Sequence, residues 1–92
     1  MKSIKLFHTK EVYGRGFIEI VIWHVPQCVS PSAHHYKYRL VYVVDGKRMV
    51  GYDNERGKGD HKHVDNHEEH YHFVDPASLM TDFLSDVKGV QK

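Results

Sequence analysis

Tyr36-Lys37-Tyr38-Arg39-Leu40-Val41-Tyr42-Val43-Val44-Asp45-Gly46-Lys47-Arg48-Met49-Val50-Gly51-Tyr52 decides the fold. Aromatic and β-branched residues crowd both halves, and Asp45-Gly46 between them tolerates the positive φ angles of a type I′ hairpin turn. A two-residue loop sets Val44 opposite Lys47, Val43 opposite Arg48 and Val41 opposite Val50. Counting outward, Arg39 is expected opposite Tyr52, Tyr38 opposite Asp53 and Lys37 opposite Asn54. One face then gathers Lys37, Arg39, Tyr52 and Asn54 at the end away from the turn. Tyr38, Leu40, Tyr42, Val44 and Met49 form the other face, which reads as core.

Upstream, Phe17-Ile18-Glu19-Ile20-Val21-Ile22-Trp23-His24-Val25 is apolar at nearly every position and reads as a strand buried on both faces, with Trp23 in the core. Tyr13-Gly14-Arg15-Gly16 is a turn to a weaker strand around Ile4 to Val12. Pro26 ends the long strand, and the segment to Ala33 is a loop. Downstream, Tyr71-His72-Phe73-Val74 reads as a short strand. Asp75-Pro76 opens a helix: Asp75 caps free amides, and Pro76 suits the first turn. Leu79, Met80, Phe83, Leu84 and Val87 form its apolar stripe, opposite Asp82, Ser85 and Asp86, with Gly89 as a stop. These elements predict an α+β fold, an antiparallel β-meander of about four to five strands with one C-terminal helix packed on the sheet. Residues 1–92 are expected to form a single domain.

The chain carries 13 Lys and Arg, 12 Asp and Glu and nine His, for a formal net charge of +1. Bulk charge therefore does not announce nucleic-acid binding, although nine histidines would make the surface cationic near pH 6. A single cysteine, Cys28, excludes an intramolecular disulfide and fits a reducing compartment. The N-terminus lacks an apolar signal core and no apolar run reaches spanning length, so a cytoplasmic location away from membranes is expected.

Tyr52 to His72 is too polar to read as core, and so reads as a large loop kept for chemistry or binding. His61-x-His63 places two imidazoles on one side of an extended chain, as a metal grip or an acid–base pair. His67, His70 and His72 follow, and His61, His63, His70 and His72 are the set from which a zinc or nickel site would be drawn, with Asp60, Asp65, Glu68 and Glu69 as nearby carboxylates. Their spacing matches no recognised ligand pattern, so no metal or cofactor is expected. Gly57-Lys58-Gly59 is a glycine-permitted turn that can present a cation and amides to an anion, without the rest of a Walker motif. Lys37, Arg39, Lys58 and Asn54 together would bind an RNA phosphate.

The strings His35 to Gly46 and Tyr52-Asp53-Asn54-Glu55-Arg56-Gly57-Lys58-Gly59-Asp60-His61-Lys62-His63 closely resemble the TumE-like family, small bacterial and archaeal toxin components of toxin–antitoxin modules. The likeness extends back to Glu19-Ile20-Val21-Ile22-Trp23 and onward through Tyr71-His72-Phe73 and the final helix. It implies a neighbouring gene for a helix-turn-helix DNA-binding antitoxin, and growth inhibition when the toxin is released. It brings no catalytic assignment. The residues themselves suggest a metal-independent ribonuclease. His61 and His63 would serve as acid and base, Lys58 and Arg39 as charge stabilisers, and Tyr52 or Asp53 as positioning groups. Two alternatives stand beside it: a non-enzymatic module that binds nucleic acid or a helix-turn-helix partner, and a metal-dependent hydrolase using the histidine cluster. The chain is also compatible with a homodimer.

Overall fold

The structure is a computed structural model that describes residues 2–91. Among these residues the chain forms β1 (Ile4–Tyr13), β2 (Gly16–His24), β3 (Tyr36–Val44), β4 (Lys47–Glu55), β5 (Gly59–Val64), β6 (His67–His70) and α1 (Pro76–Val90). The strands make one six-stranded sheet in sequence order, each antiparallel to the next. The α+β class holds, with six strands rather than four or five.

Asp45 and Gly46 do form the two-residue turn, at φ 52° and 75°, and Val44 faces Lys47. The register expected beyond it is corrected by a bulge on β4. After Val43 opposite Arg48, Tyr42 pairs with Val50, so Met49 is the extra residue. Leu40 therefore lies opposite Tyr52, and Arg39 opposite Asp53. This slip turns Val50 and Tyr52 into the core and sends Asp53 to the other face. The unbulged register would have offered the core Gly51 and a carboxylate instead, at the cost of burying a charge. Lys37, Arg39, Tyr52 and Asn54 consequently do not share a face.

One face of the sheet is covered. Leu79, Phe83 and Val87 are fully buried on α1, four residues apart and hence in one stripe. They close over Ile18, Ile20, Ile22, Tyr38, Leu40, Tyr42, Val50 and Tyr52. Phe83 meets the Tyr52 ring edge-on at 5.7 Å, and its truncation to alanine would cost about 3–5 kcal/mol. Asp75 caps the helix by accepting from the Ser78 amide at 2.7 Å, with Pro76 in the first turn. Gly89 does not stop the helix, which runs to Val90 with Gln91 as its C-cap.

Since α1 covers a single face, β2 is not buried on both sides. Ile18, Ile20 and Ile22 point inward, while Phe17, Glu19, Val21 and Trp23 are half-buried on the open face. The polar segment expected as a loop is instead sheet. Gly57 and Gly59, at φ 85° and 81°, permit the reversal into β5, and Asp65 at φ 58° begins the two-residue turn into β6. The short strand expected over Tyr71–Val74 is displaced to His67–His70. Tyr71 instead leaves the sheet edge to pack its ring 4.9 Å from that of Tyr52.

Candidate active site on the open face of the sheet

Alternation along antiparallel strands lines side chains up across the face that α1 leaves bare. One cross-strand row runs Val21, Arg39, Asp53, His61, His70. The next carries Val41, Gly51, His63 and Glu68. On the other side of the first row, Trp23 pairs with Lys37, and Glu55 with Gly59. The bulge at Met49 thus brings Arg39, Asp53, His61 and His63 together, while the unbulged register would have separated Arg39 from Asp53.

His61 is 7% exposed. Its Nδ1 donates to the Gly59 carbonyl at 3.0 Å, which fixes the ring and turns Nε2 toward Asp53, whose Oδ1 lies 2.5 Å away. His63 is oriented differently. Its Nδ1 lies 3.0 Å from the Arg48 Nη2, and its Nε2 makes no hydrogen bond among the described residues. Gly51 makes room for this arginine, since a Cβ there would stand 2.8 Å from the Arg48 Cδ.

Glu68 joins these groups. Its Oε2 lies 2.6 Å from the Lys58 Nζ, 3.5 Å from the His63 Nδ1 and 3.7 Å from the His61 Nε2. The hydrogen bond from Lys58 holds the Glu68 carboxyl below the usual carboxylate range, with the charges of Lys58, His63 and His61 adding to it. Lys58 is raised in turn by the same bond. Three nitrogens thus converge on one anionic oxygen. Neither Glu68 nor Arg48 was expected at an acid–base site from sequence. Glu68 enters it only through the β5–β6 register, and Arg48 only through the bulge.

The remaining predicted residues are dispersed. Tyr52 is on the covered face, its hydroxyl donating to Asp86, and burial followed by that bond pushes its phenol up. Asn54 is fully buried there, donating to the Tyr36 carbonyl at 2.7 Å and accepting from the Tyr38 amide at 3.0 Å. Lys37 is on the open face, with Nζ donating to the Asn54 carbonyl. His70 is exposed beside His61 on β6, and His72 is exposed beyond that strand. The histidines do not form a shared metal set among the described residues. The group with metal-binding spacing is Asp53, Glu55 and His61, whose ligand atoms lie within 4.8 Å of one another.

A second polar cluster, on the covered face, was not anticipated. Asp60 accepts from Ser32 Oγ at 3.0 Å, from the Tyr38 hydroxyl at 2.7 Å and lies 2.7 Å from the His34 Nε2. Burial alone would raise its carboxyl, but the hydrogen bonds from His34, Tyr38 and Ser32 prevail and hold it below the usual range. Tyr38 is pushed up by burial and by that bond. Phe73 stacks on His34 at 3.8 Å between ring centres.

A protein-family model described as Toxin TumE matches residues 3–91. No curated protein and no solved structure matches the chain. No helix among the described residues is long and apolar enough to cross a membrane.

Proposed function

Because the chain belongs to the TumE toxin family, we propose that it is the toxin of a toxin–antitoxin module and acts on RNA as a metal-independent ribonuclease. The observation that carries this reading is the 2.5 Å contact between His61 Nε2 and Asp53 Oδ1, set on an open face with His63, Lys58 and Arg39. The side chain of Asp53 is 20% exposed against 9% for His61, so Asp53 meets the substrate and His61 holds it in position from behind. Asp53 takes the proton from the attacking 2′-hydroxyl, whose oxygen bonds to phosphorus. His63, entering as the imidazolium with its Nδ1–H toward Glu68, gives its Nε2 proton to the departing 5′-oxygen as the P–O bond breaks and is left as the neutral imidazole. Products are a 2′,3′-cyclic phosphate and a free 5′-hydroxyl. A phosphate oxygen replaces that of Glu68 beside Lys58, and Arg39 offsets further charge on the pentavalent phosphorus.

Incubating purified toxin with RNA in excess chelator tests this directly. Cyclic-phosphate ends are expected, and Asp53→Asn or His63→Ala should remove them. Undamaged RNA under all conditions, with toxicity in cells intact, would leave the non-enzymatic binding reading. The spacing of Asp53, Glu55 and His61 favours a second reading, in which these three hold a divalent cation that activates water. Cleavage that vanishes with chelator and returns with added Mg²⁺ or Mn²⁺, lost in Glu55→Gln, would select it.

A further inference from the structure

The sequence placed Trp23 in the core, yet it stands half-buried on the open face, in the row next to Arg39 and Asp53. Val21, Trp23, Lys37, Arg39, Asp53 and Glu55 line a cleft of about 480 Å³ there. Its size falls within the range of small-ligand pockets, roughly 300–1,000 Å³. The Lys5 Nζ lies 5.1 Å from the centre of the Trp23 ring, so one face of the indole is reached by a surface cation rather than by core. An aromatic wall, an aliphatic floor from Val21 and the β3 cations Lys37 and Arg39 meet in this cleft, with the β4 carboxylates Asp53 and Glu55 on its far side. The only tryptophan of the chain is its wall.

From this we infer that Trp23 is a stacking platform for a nucleobase of single-stranded RNA, forming a subsite beside the Asp53–His61 pair. A base has an apolar π-face and an anionic backbone, and the cleft supplies the complement of each. Duplex RNA offers no unstacked base to a shallow cleft on a sheet, so the occupant is single-stranded. Arg39 bridges the two parts of the surface, since it lines the cleft and pairs across the strands with Asp53. A strand whose base rests on Trp23 therefore leads its phosphates along Arg39 toward His61 and Lys58. Lys37, tied to the Asn54 carbonyl, lies along the same wall as a fixed charge.

The inference rests on the RNA reading of the neighbouring residues, and the lone tryptophan separates the two experimentally. A 2′-O-methyl oligonucleotide lacks the attacking hydroxyl and is not consumed. Titrated into the intact protein, it should quench or shift tryptophan emission saturably. Trp23→Ala should weaken its binding about tenfold, measured by anisotropy of a labelled strand, as the loss of one stacking aromatic implies. Trp23→Phe should retain most of the affinity, and circular dichroism reports whether both variants fold. Saturable binding with unchanged emission, and an unchanged affinity in Trp23→Ala, overturns the platform even when RNA is cleaved. Quenching and loss of affinity without cleavage of ordinary RNA sustains the platform and sinks the nuclease. Emission that responds to the antitoxin but never to RNA assigns the cleft to that protein and overturns the inference.

Discussion

Asp60 and His61 are neighbours on β5, yet they serve opposite sides of the sheet. Asp60 is 8% exposed and enclosed by Ser32, His34 and Tyr38. His61 is equally buried, at 7%, but its carboxylate partner Asp53 reaches solvent on a bare face among exposed cations. Both are close histidine–carboxylate contacts, His34 to Asp60 at 2.7 Å and His61 to Asp53 at 2.5 Å. What separates them is what the carboxylate still has to offer. Both Asp60 oxygens are engaged inside the cluster, Oδ2 by Ser32 and Oδ1 by Tyr38 and His34. Asp53 has its second oxygen free of any described hydrogen bond and faces the cleft. A closed network of this kind holds Ser32 and His34 of the long β2–β3 connection against β5; an open pair can move a proton.

The largest effect expected from this contrast is on activity. Asp53→Asn should lower RNA cleavage, and toxicity in induced cells, by about 10²–10⁴-fold, the usual worth of general acid–base catalysis. Because the asparagine amide can still accept from a donor, the melting temperature should move little. A variant that folds and kills like the parent ends the assignment. His61→Ala is a poorer probe, since it strips a partner from a buried carbonyl and from Asp53 at once.

Next comes stability on the closed side. Asp60→Ala removes a buried carboxylate and strands three donors, for an expected loss of about 3–5 kcal/mol in denaturant unfolding, while the surviving folded fraction should still cleave. The pH dependence has a definite sign. Asp60 is lowered in the folded state from its ordinary 3.8, so its contribution is fully present above that value and fades as pH falls through the lower folded one. Stability measured across pH 5 to pH 2 should therefore drop more steeply in the parent than in Asp60→Asn. Parallel curves would show that the network contributes no proton linkage. His63→Ala, by contrast, sits at a partly exposed position and should stay within ~1 kcal/mol of the parent while losing cleavage.

How much of this was legible depended on whether a feature was local. Asp45-Gly46 and Asp75-Pro76 act within a turn of chain, so their geometry is written in adjacent residues and both appear as read. The bulge at Met49 is not local. It is favoured because Val50 and Tyr52 can meet α1, some thirty residues onward, and nothing between Val44 and Tyr52 signals it. The strands β5 and β6 lack apolar alternation, so their period was hidden. One side of β5 buries Asp60 in a polar network, and β6 is an exposed edge. Arg39, Asp53, His61 and His63 all stood in the expected site set, but the expected register put Asp53 on the face away from Arg39, and the face they share follows from the bulge. Trp23 was misplaced because an apolar run does not reveal that only one face will be covered.

The smallest expected effect concerns the partner, and it sets the two faces against each other. Family membership implies an antitoxin, and we expect a helix-turn-helix protein with an acidic or aromatic segment over the open face. That face collects Lys5, Lys10, Lys37, Arg39, Arg48 and Lys58 against the carboxylates Glu19, Asp53, Glu55 and Glu68 by the strand register and their contacts, while α1 carries Asp82 against Tyr71 and Asp86 against Tyr52 and Lys62. A near-neutral chain is thus unevenly charged, and steering should act on one side alone. Arg39→Glu should slow association with the antitoxin and flatten its salt dependence, with a smaller change in dissociation, whereas Lys88→Glu at the end of α1 should change neither. Lys58→Glu makes the sharper variant, because it also releases Glu68 from its lysine partner and leaves two carboxylates beside His61 and His63. Stopped-flow association rates at two ionic strengths give the result. If Lys88→Glu slows binding and the open-face reversals do not, the antitoxin docks on the helix side, and inhibition reaches the Asp53–His61 pair through the sheet rather than by covering it.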